Sequence, residues 1–278
     1  MERPDKYLVL NQSRITSYMM CPRFYELRHL DRLSETSKAL RIGTLTHRLL
    51  EKFNKAKALG KTYEPVKSED TDQGEWDTAE KLYWAYYREY GSENITLVQP
   101  EVEACCQFGK ITTPSATWYI WLISKLDGII QDKGLYLEEY KTCANLGAAQ
   151  FEKFLNDFQI TCYMWMAQKD LQIHLNGARI TLLPKTKNPL PQRMRVTRSA
   201  HQFQEWEKTV LFECRSMIMC MEQGYFPQRH INCTKWNRAC MFHDYCITGE
   251  RVNLADLPVE PADYAEEKRR ELTRLGKE

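Results

Sequence analysis

The chain has 278 residues, 39 basic against 37 acidic, with 43% of them apolar. That is enough for a self-supporting core, as one large domain or two modest ones. The formal net charge of +2 gives no bulk sign of a nucleic-acid binder and leaves only a local basic groove open. Residues 1–13 lack the apolar run of a secretion signal, and the most apolar stretch, Trp118 to Ile130, is broken by Ser124, Lys125 and Asp127. Neither a leader nor a membrane span is expected, which points to a cytoplasmic chain.

Residues 1–12 read as extended. Ser13 is the expected cap of a helix over 14–27, kinked or restarted at Pro22, which lacks a backbone donor. A polar connection over 28–40 leads to a helix over 41–59, whose apolar face is Leu45, Leu49, Leu50 and Phe53 and whose end is Gly60. A turn-rich loop (61–74) precedes a third helix, 75–90. Its Tyr83, Trp84, Tyr86 and Tyr87 belong to the core or, as an alternative, offer stacking surfaces to nucleobases. The pattern then changes to strands over 96–108, 116–130 and 134–142. The tetrad from Gln131 to Gly134 forms the hairpin turn, with Gly134 at positive φ. A helix over 150–169, a strand over 173–183, a turn-rich excursion over 184–191 and a long helix over 200–222 follow. Residues 225–248 are irregular and carry cysteines, and 262–278 are a charged surface helix. This order predicts one α/β sheet layered with helices. Residues 1–250 make one domain: a helical part over 41–92, a catalytic sheet and helix over 96–184, and a long helix with a cysteine region over 200–248. Residues 251–278 form a charged tail.

The informative segment runs from Ser124 to Cys143, SKLDGIIQDKGLYLEEYKTC. Alternation puts Glu139 and Lys141 on one face of a strand, and the turn folds Asp127 back beside Glu139. Two carboxylates with a lysine suit a hard cation, Mg²⁺ or Mn²⁺, that would act on a phosphodiester. The bland alternative is a solvated charged hairpin face. Gly43 and His47 share a helix face four residues apart, and so do Gln159 and Tyr163. Glu103, with Glu101 as the competitor, places an acid on the first strand.

In this order, those residues resemble the RecB-like and Cas4-like branch of the PD-(D/E)XK nuclease superfamily over about residues 13 to 248. Gly43 to His47 matches its Gly-x-x-x-His helix, Glu103 or Glu101 its acidic strand, and Asp127 its Asp, although Ser124 stands where a glycine is usual. Glu139-Tyr140-Lys141-Thr142 matches Asp/Glu-x-Lys-Thr, and Gln159 to Tyr163 matches Gln-x-x-x-Tyr. The resemblance implies a restriction-endonuclease-like core: a central mixed sheet flanked by helices, with a helical insertion and a C-terminal cysteine-rich region. It also implies metal ligation by His47, Glu103, Asp127, Glu139 and the Tyr140 carbonyl. Lys141 is then the catalytic lysine, and Gln159 and Tyr163 support the substrate.

Of ten cysteines, Cys105, Cys106, Cys143, Cys162, Cys214 and Cys220 read as small core groups. Cys233, Cys240 and Cys246 cluster and need a fourth ligand. Spacing alone leaves Zn²⁺ or an iron–sulfur cluster open, and does not name Cys21 over any other cysteine as the fourth ligand, with His230 or His243 as substitutes. The resemblance implies a [4Fe–4S] cluster on Cys21, Cys233, Cys240 and Cys246. The implied activity is a DNA exonuclease acting from single-stranded ends in repair, recombination, phage or CRISPR DNA processing, with a helicase, recombinase or integrase as partner. The alternatives are a flap or branched-DNA endonuclease, a non-catalytic DNA-binding scaffold, and a zinc-stabilised interaction protein.

Overall fold

A computed structural model describes residues 4–34, 37–234, 238–255 and 257–275. The chain folds as two compact units, one of residues 1–35, 105–123 and 204–278, the other of residues 36–104 and 124–203. Strands β2 (Thr96–Thr112) and β3 (Thr117–Gln131) contribute to both. With β1 (Asp5–Leu10), β4 (Leu135–Cys143), β5 (Gly177–Pro184) and β6 (Gln192–Val196) they form a mixed sheet in the order β1-β3-β4-β5-β6, with β2 also on β3. This is the mixed α/β sheet expected from the alternation of helical and strand patterns.

In the first unit, β1 lies parallel to β3, Asp5 opposite Thr117 and Leu10 opposite Leu122. Helix α1 (Gln12–Met20) starts earlier than the sequence predicts, because Asn11 rather than Ser13 caps it, accepting from Arg14 N at 2.9 Å. Extended backbone at Cys21 interrupts the helix. The chain restarts as α2 (Pro22–Tyr25) with Pro22 at its first position, where the missing N–H costs nothing, and continues through a π-helical turn over Glu26–Leu30. Helix α7 (Ala200–Gln223) supplies Trp206, Val210, Cys214 and Met217 to the core. The charged C-terminal segment becomes helix α9 (Tyr264–Leu275), which docks on β1 with Ala265 fully buried beside Val9 and Ile123. Just before it, Asp263 grips the buried Arg14 guanidinium through both carboxylate oxygens, at 2.7 and 3.2 Å. Burial raises the Asp263 carboxyl, but that guanidinium outweighs it and holds the group below the usual carboxylate range.

In the second unit, α3 (Lys38–Ala58) packs on α4 (Gln73–Tyr90). Ser37 caps α3, and Gly60 at φ 65° closes it. The aromatic set on α4 is core. Tyr83 and Tyr86 are buried around Phe53 together with Trp76 and Leu82, and of the four rings once open to base stacking only Tyr87 is exposed. Antiparallel β3 and β4 pair Gly128 with Glu138 and Gln131 with Leu135. In their turn it is Lys133, not Gly134, that adopts positive φ (53°). Gly134 is needed for a different reason: a Cβ there would lie 2.4 Å from Asn176 Oδ1, the atom that accepts from Leu135 N. Parallel β4 and β5 place Glu139 opposite Ile180 and Lys141 opposite Leu182. The helix expected over 150–169 is instead α5 (Ala148–Glu152), a 3₁₀ turn and α6 (Phe158–Asp170), because Asp157 stops the first run and caps the second, accepting from Ile160 N at 3.0 Å. Strand β6 falls in a stretch where the sequence predicts no element, although Arg193-Met194-Arg195-Val196 alternates; five residues are too short a run to stand out until they pair with β5.

Candidate active site

The site forms where the β3–β4 ladder ends. Its last pair is Gly128 with Glu138, and one residue further stand Asp127 and Glu139. The next backbone donor of β4, Tyr140 N, is taken by the Asp127 side chain, which accepts at 2.8 Å through Oδ2. The other oxygen, Oδ1, lies 3.0 Å from His47 Nδ1 on α3. Alternation along β4 sends Glu139 and Lys141 into the same cavity, with Lys141 Nζ 2.6 Å from Glu139 Oε1. From α6, Gln159 Oε1 accepts from Lys141 Nζ at 2.8 Å, while its Nε2 donates to Tyr163 Oη at 2.8 Å. Thus Gly43, His47, Asp127, Glu139, Lys141, Gln159 and Tyr163, separated by up to 120 residues in sequence, wall one cavity of about 620 Å³.

Burial raises the Glu139 carboxyl to about 7; Lys141 opposes the rise and Asp127 adds to it. Burial raises Asp127 too, but His47 and the Tyr140 N–H outweigh it, so this carboxyl sits below its usual range. Reciprocally, Asp127 overcomes burial at His47, and Glu139 does so at Lys141, so both bases are held above their ordinary values. Glu139 Oε2 is buried with no hydrogen-bond partner among the described residues. An orphaned carboxylate oxygen of this kind is costly unless a cation meets it. The donors around it, carboxylates and an imidazole, are of the type that takes Mg²⁺ or Mn²⁺. Among the described residues no three such side chains already converge on one point; His47, Lys141 and Lys55 pair with Asp127, Glu139 and Glu101.

The acid on β2 is the point where position and sequence part. Glu101 lines the cavity, while Glu103 does not and pairs instead with Lys125 at 3.0 Å. Glu101 holds φ 44°, a left-handed bend inside a strand that breaks the alternation carrying both glutamates to one face. Lys55 Nζ binds Glu101 at 2.8 Å and Glu51 at 2.5 Å. Neither Glu51 nor Lys55 had been singled out. Their signal is the helical spacing His47, Glu51, Lys55, each four residues on from the last.

The four cysteines implied as cluster ligands line one small cavity in the first unit, together with Phe24, Phe242 and His243. His230 is not in that wall. Cys240 N donates to Cys233 O at 2.7 Å, and Arg229 N reaches Cys21 Sγ at 3.4 Å. Burial, and then the other three thiols, push Cys246 up to about 11, and Cys240 is raised in the same way with Cys233 and Cys21 as the neighbours. Four thiols, with His243 in a wall that also carries Gln228, Arg229 and Asn232, are donors of the thiophilic type, although among the described residues no three of them already converge as a metal site. Of the cysteines expected in the core, Cys162, Cys214 and Cys220 are buried, and Cys105, Cys106 and Cys143 are partly so.

A mixed sheet whose hairpin junction carries Asp, Glu-x-Lys and a helix histidine into one cleft defines a nuclease of the restriction-endonuclease-like type. The family model of the PD-(D/E)XK nuclease superfamily matches residues 9–247, and the chain belongs to that superfamily. Among solved structures, one from Eubacterium rectale, named as a candidate exonuclease, is similar with a TM-score of 0.52 and 16% identity, over 84% of this chain and 89% of that one. The structure of SSO0001 aligns with a TM-score of 0.27 and 15% identity, over 64% of this chain and 86% of that one. No protein of curated function matches. Among the described residues no helix is long and apolar enough to cross a membrane.

Proposed function

We propose that this protein is a divalent-metal-dependent deoxyribonuclease of the RecB-like and Cas4-like branch, acting as an exonuclease on single-stranded ends. The observation that carries the reading is the buried, unpartnered Oε2 of Glu139, facing a cleft that also holds His47, Asp127 and Lys141. Asp127, Glu139, His47, Glu101 and the Tyr140 carbonyl would hold Mg²⁺ or Mn²⁺, with Glu101 taking the place expected of Glu103. When bound, the metal polarises the phosphodiester and lowers the pKa of a water. Lys141, anchored between Glu139 and Gln159, orients that water and offsets charge on the phosphate. Gln159, in turn clamped to Tyr163, keeps the lysine from swinging out. The exonuclease name borne by the Eubacterium rectale structure agrees with cleavage from ends.

End-labelled DNA tests the proposal. Wild type with Mn²⁺ or Mg²⁺ releases short products from single-stranded ends, chelator stops it, and Lys141→Ala slows it by on the order of 10²-fold or more. Cutting that persists in chelator, or a Lys141→Ala variant as fast as wild type, would reject it. Circular single strands separate end-directed from internal cleavage: they stay intact if the enzyme is an exonuclease.

The cysteine cavity supports a [4Fe–4S] cluster as a structural clip, with zinc as the competing occupant. Anaerobically purified protein is expected to be brown, absorbing near about 400 nm, and to lose that band in Cys21→Ser. A colourless sample containing zinc and no iron counts against the cluster.

A further inference from the structure

The cavity at the nuclease centre does not end there. A second cavity of about 580 Å³ lies along the same helix, α3, and Thr44 and Arg48 wall both. Each is of the size that takes a nucleotide-sized group. The helical positions 38, 41, 44/45 and 48 form one stripe, and Lys38, Arg41, Thr44, Leu45 and Arg48 all line the second cavity.

Its charges are nearly balanced, since Asp70, Asp72 and Glu75 face those cations. Arg41 is spent on Glu75, 2.6 Å away, and Asp72 caps α4 by accepting from Glu75 N at 2.9 Å. Arg48 is different. It is exposed, stands at the junction of the two cavities, and has no hydrogen bond or ion pair among the described residues. About two turns earlier on α3, Leu40 is 53% exposed in the wall of the nuclease cavity, an apolar surface suited to a sugar or base. In that cavity Glu51, Glu101, Asp127 and Glu139 are met by His47, Lys125 and Lys141; a guanidinium one residue from His47, with no ion-pair partner among the described residues, is placed for an anion that arrives with the substrate. The planar fork binds phosphate oxygens in pairs.

We propose that Arg48 clamps the phosphate next to the scissile one, and that the strand continues past it over α3 into the second cavity. This rests on the nuclease reading above and extends it. The substrate is then a strand presenting at least two consecutive phosphates, and recognition follows the backbone rather than the base.

Two substrates and a binding titration test it. One substrate is an end-labelled oligodeoxynucleotide; the other is thymidine 5′-(p-nitrophenyl phosphate), a single diester with no neighbouring phosphate. Arg48→Ala is expected to lower kcat/KM on the oligonucleotide roughly ten- to a hundredfold more than on the single diester. The loss should be in KM, and Arg48→Lys should recover part of it as a point charge. Fluorescence anisotropy of the oligonucleotide, with an Asp127→Ala protein as the parent, should show the salt dependence of log K falling by about 0.7 to 1 when Arg48 is also replaced. An equal loss on both substrates, no loss on the oligonucleotide, or an unchanged salt slope overturns the clamp. Wild type inert toward both substrates with Mn²⁺ present would instead sink the nuclease reading itself.

Discussion

Asp127→Ala is expected to lower phosphodiester hydrolysis by about 10³-fold or more, roughly 4 kcal/mol of transition-state stabilisation. The size follows from how many groups this one carboxylate organises. It accepts Tyr140 N at 2.8 Å and stands 3.0 Å from His47 Nδ1. Its removal takes a charge from the proposed metal, lets the imidazole lose its elevated pKa, and strands a backbone N–H where the β3–β4 ladder ends. That last loss should also cost about 1–3 kcal/mol of stability. Asp127→Asn divides the two roles. Its amide oxygen can still accept from Tyr140 N, so denaturant midpoints should return close to wild type while activity stays low. An Asp127→Ala enzyme within tenfold of wild type would show that the carboxylate is only a ladder cap.

The second large effect lies on the opposite face of β4. Glu138 is fully buried, and its Oε2 takes Arg179 Nε at 2.5 Å. Arg193 continues the network to Glu93 and to Tyr86 Oη, and Tyr86 meets the Tyr140 hydroxyl at 3.2 Å, which Asn54 also contacts at 2.8 Å. Burial raises the Glu138 carboxyl, and Arg179 and Arg193 oppose that rise. Glu138→Ala would leave the buried Arg179 with only the longer contact to Glu93, at 3.8 Å, as an acidic partner, and a broken buried pair costs about 3–5 kcal/mol. Equilibrium urea unfolding should show this as a lowered midpoint with little change in slope. Replacing both partners with apolar residues, Glu138→Leu with Arg179→Met, should cost clearly less than the single change. If the single change is no worse than about 1 kcal/mol, the pair is not the strut under Tyr140 that its burial indicates.

Much of the site was legible because its spacings are those of regular elements. Period two placed Glu139 with Lys141, and four-residue steps placed Gly43 with His47 and Gln159 with Tyr163. Helices and strands repeat these relations locally, so no tertiary knowledge is needed. The restart of the helix at Pro22 was equally visible, since a missing N–H is a property of the residue itself. The sequence named both Glu103 and Glu101, but that Glu101 is the one lining the cavity was not legible. It depends on a left-handed φ of 44° at a glutamate, a residue type that does not advertise such a bend. Strand β6 was missed for a different reason: the alternation of Arg193-Met194-Arg195-Val196 is only a few residues long, and its pairing with β5 is what identifies it as a strand.

By itself, then, the sequence determined most of the element types and the superfamily, because these rest on residue type and local period. Only the tertiary structure decided which oxygen of Asp127 holds a strand and which meets His47, and that, among the described residues, Glu139 keeps an unpartnered buried oxygen and Arg48 stands without an ion pair in the wall of two cavities. Those facts depend on burial and on partners far apart in the chain, and no local pattern encodes either.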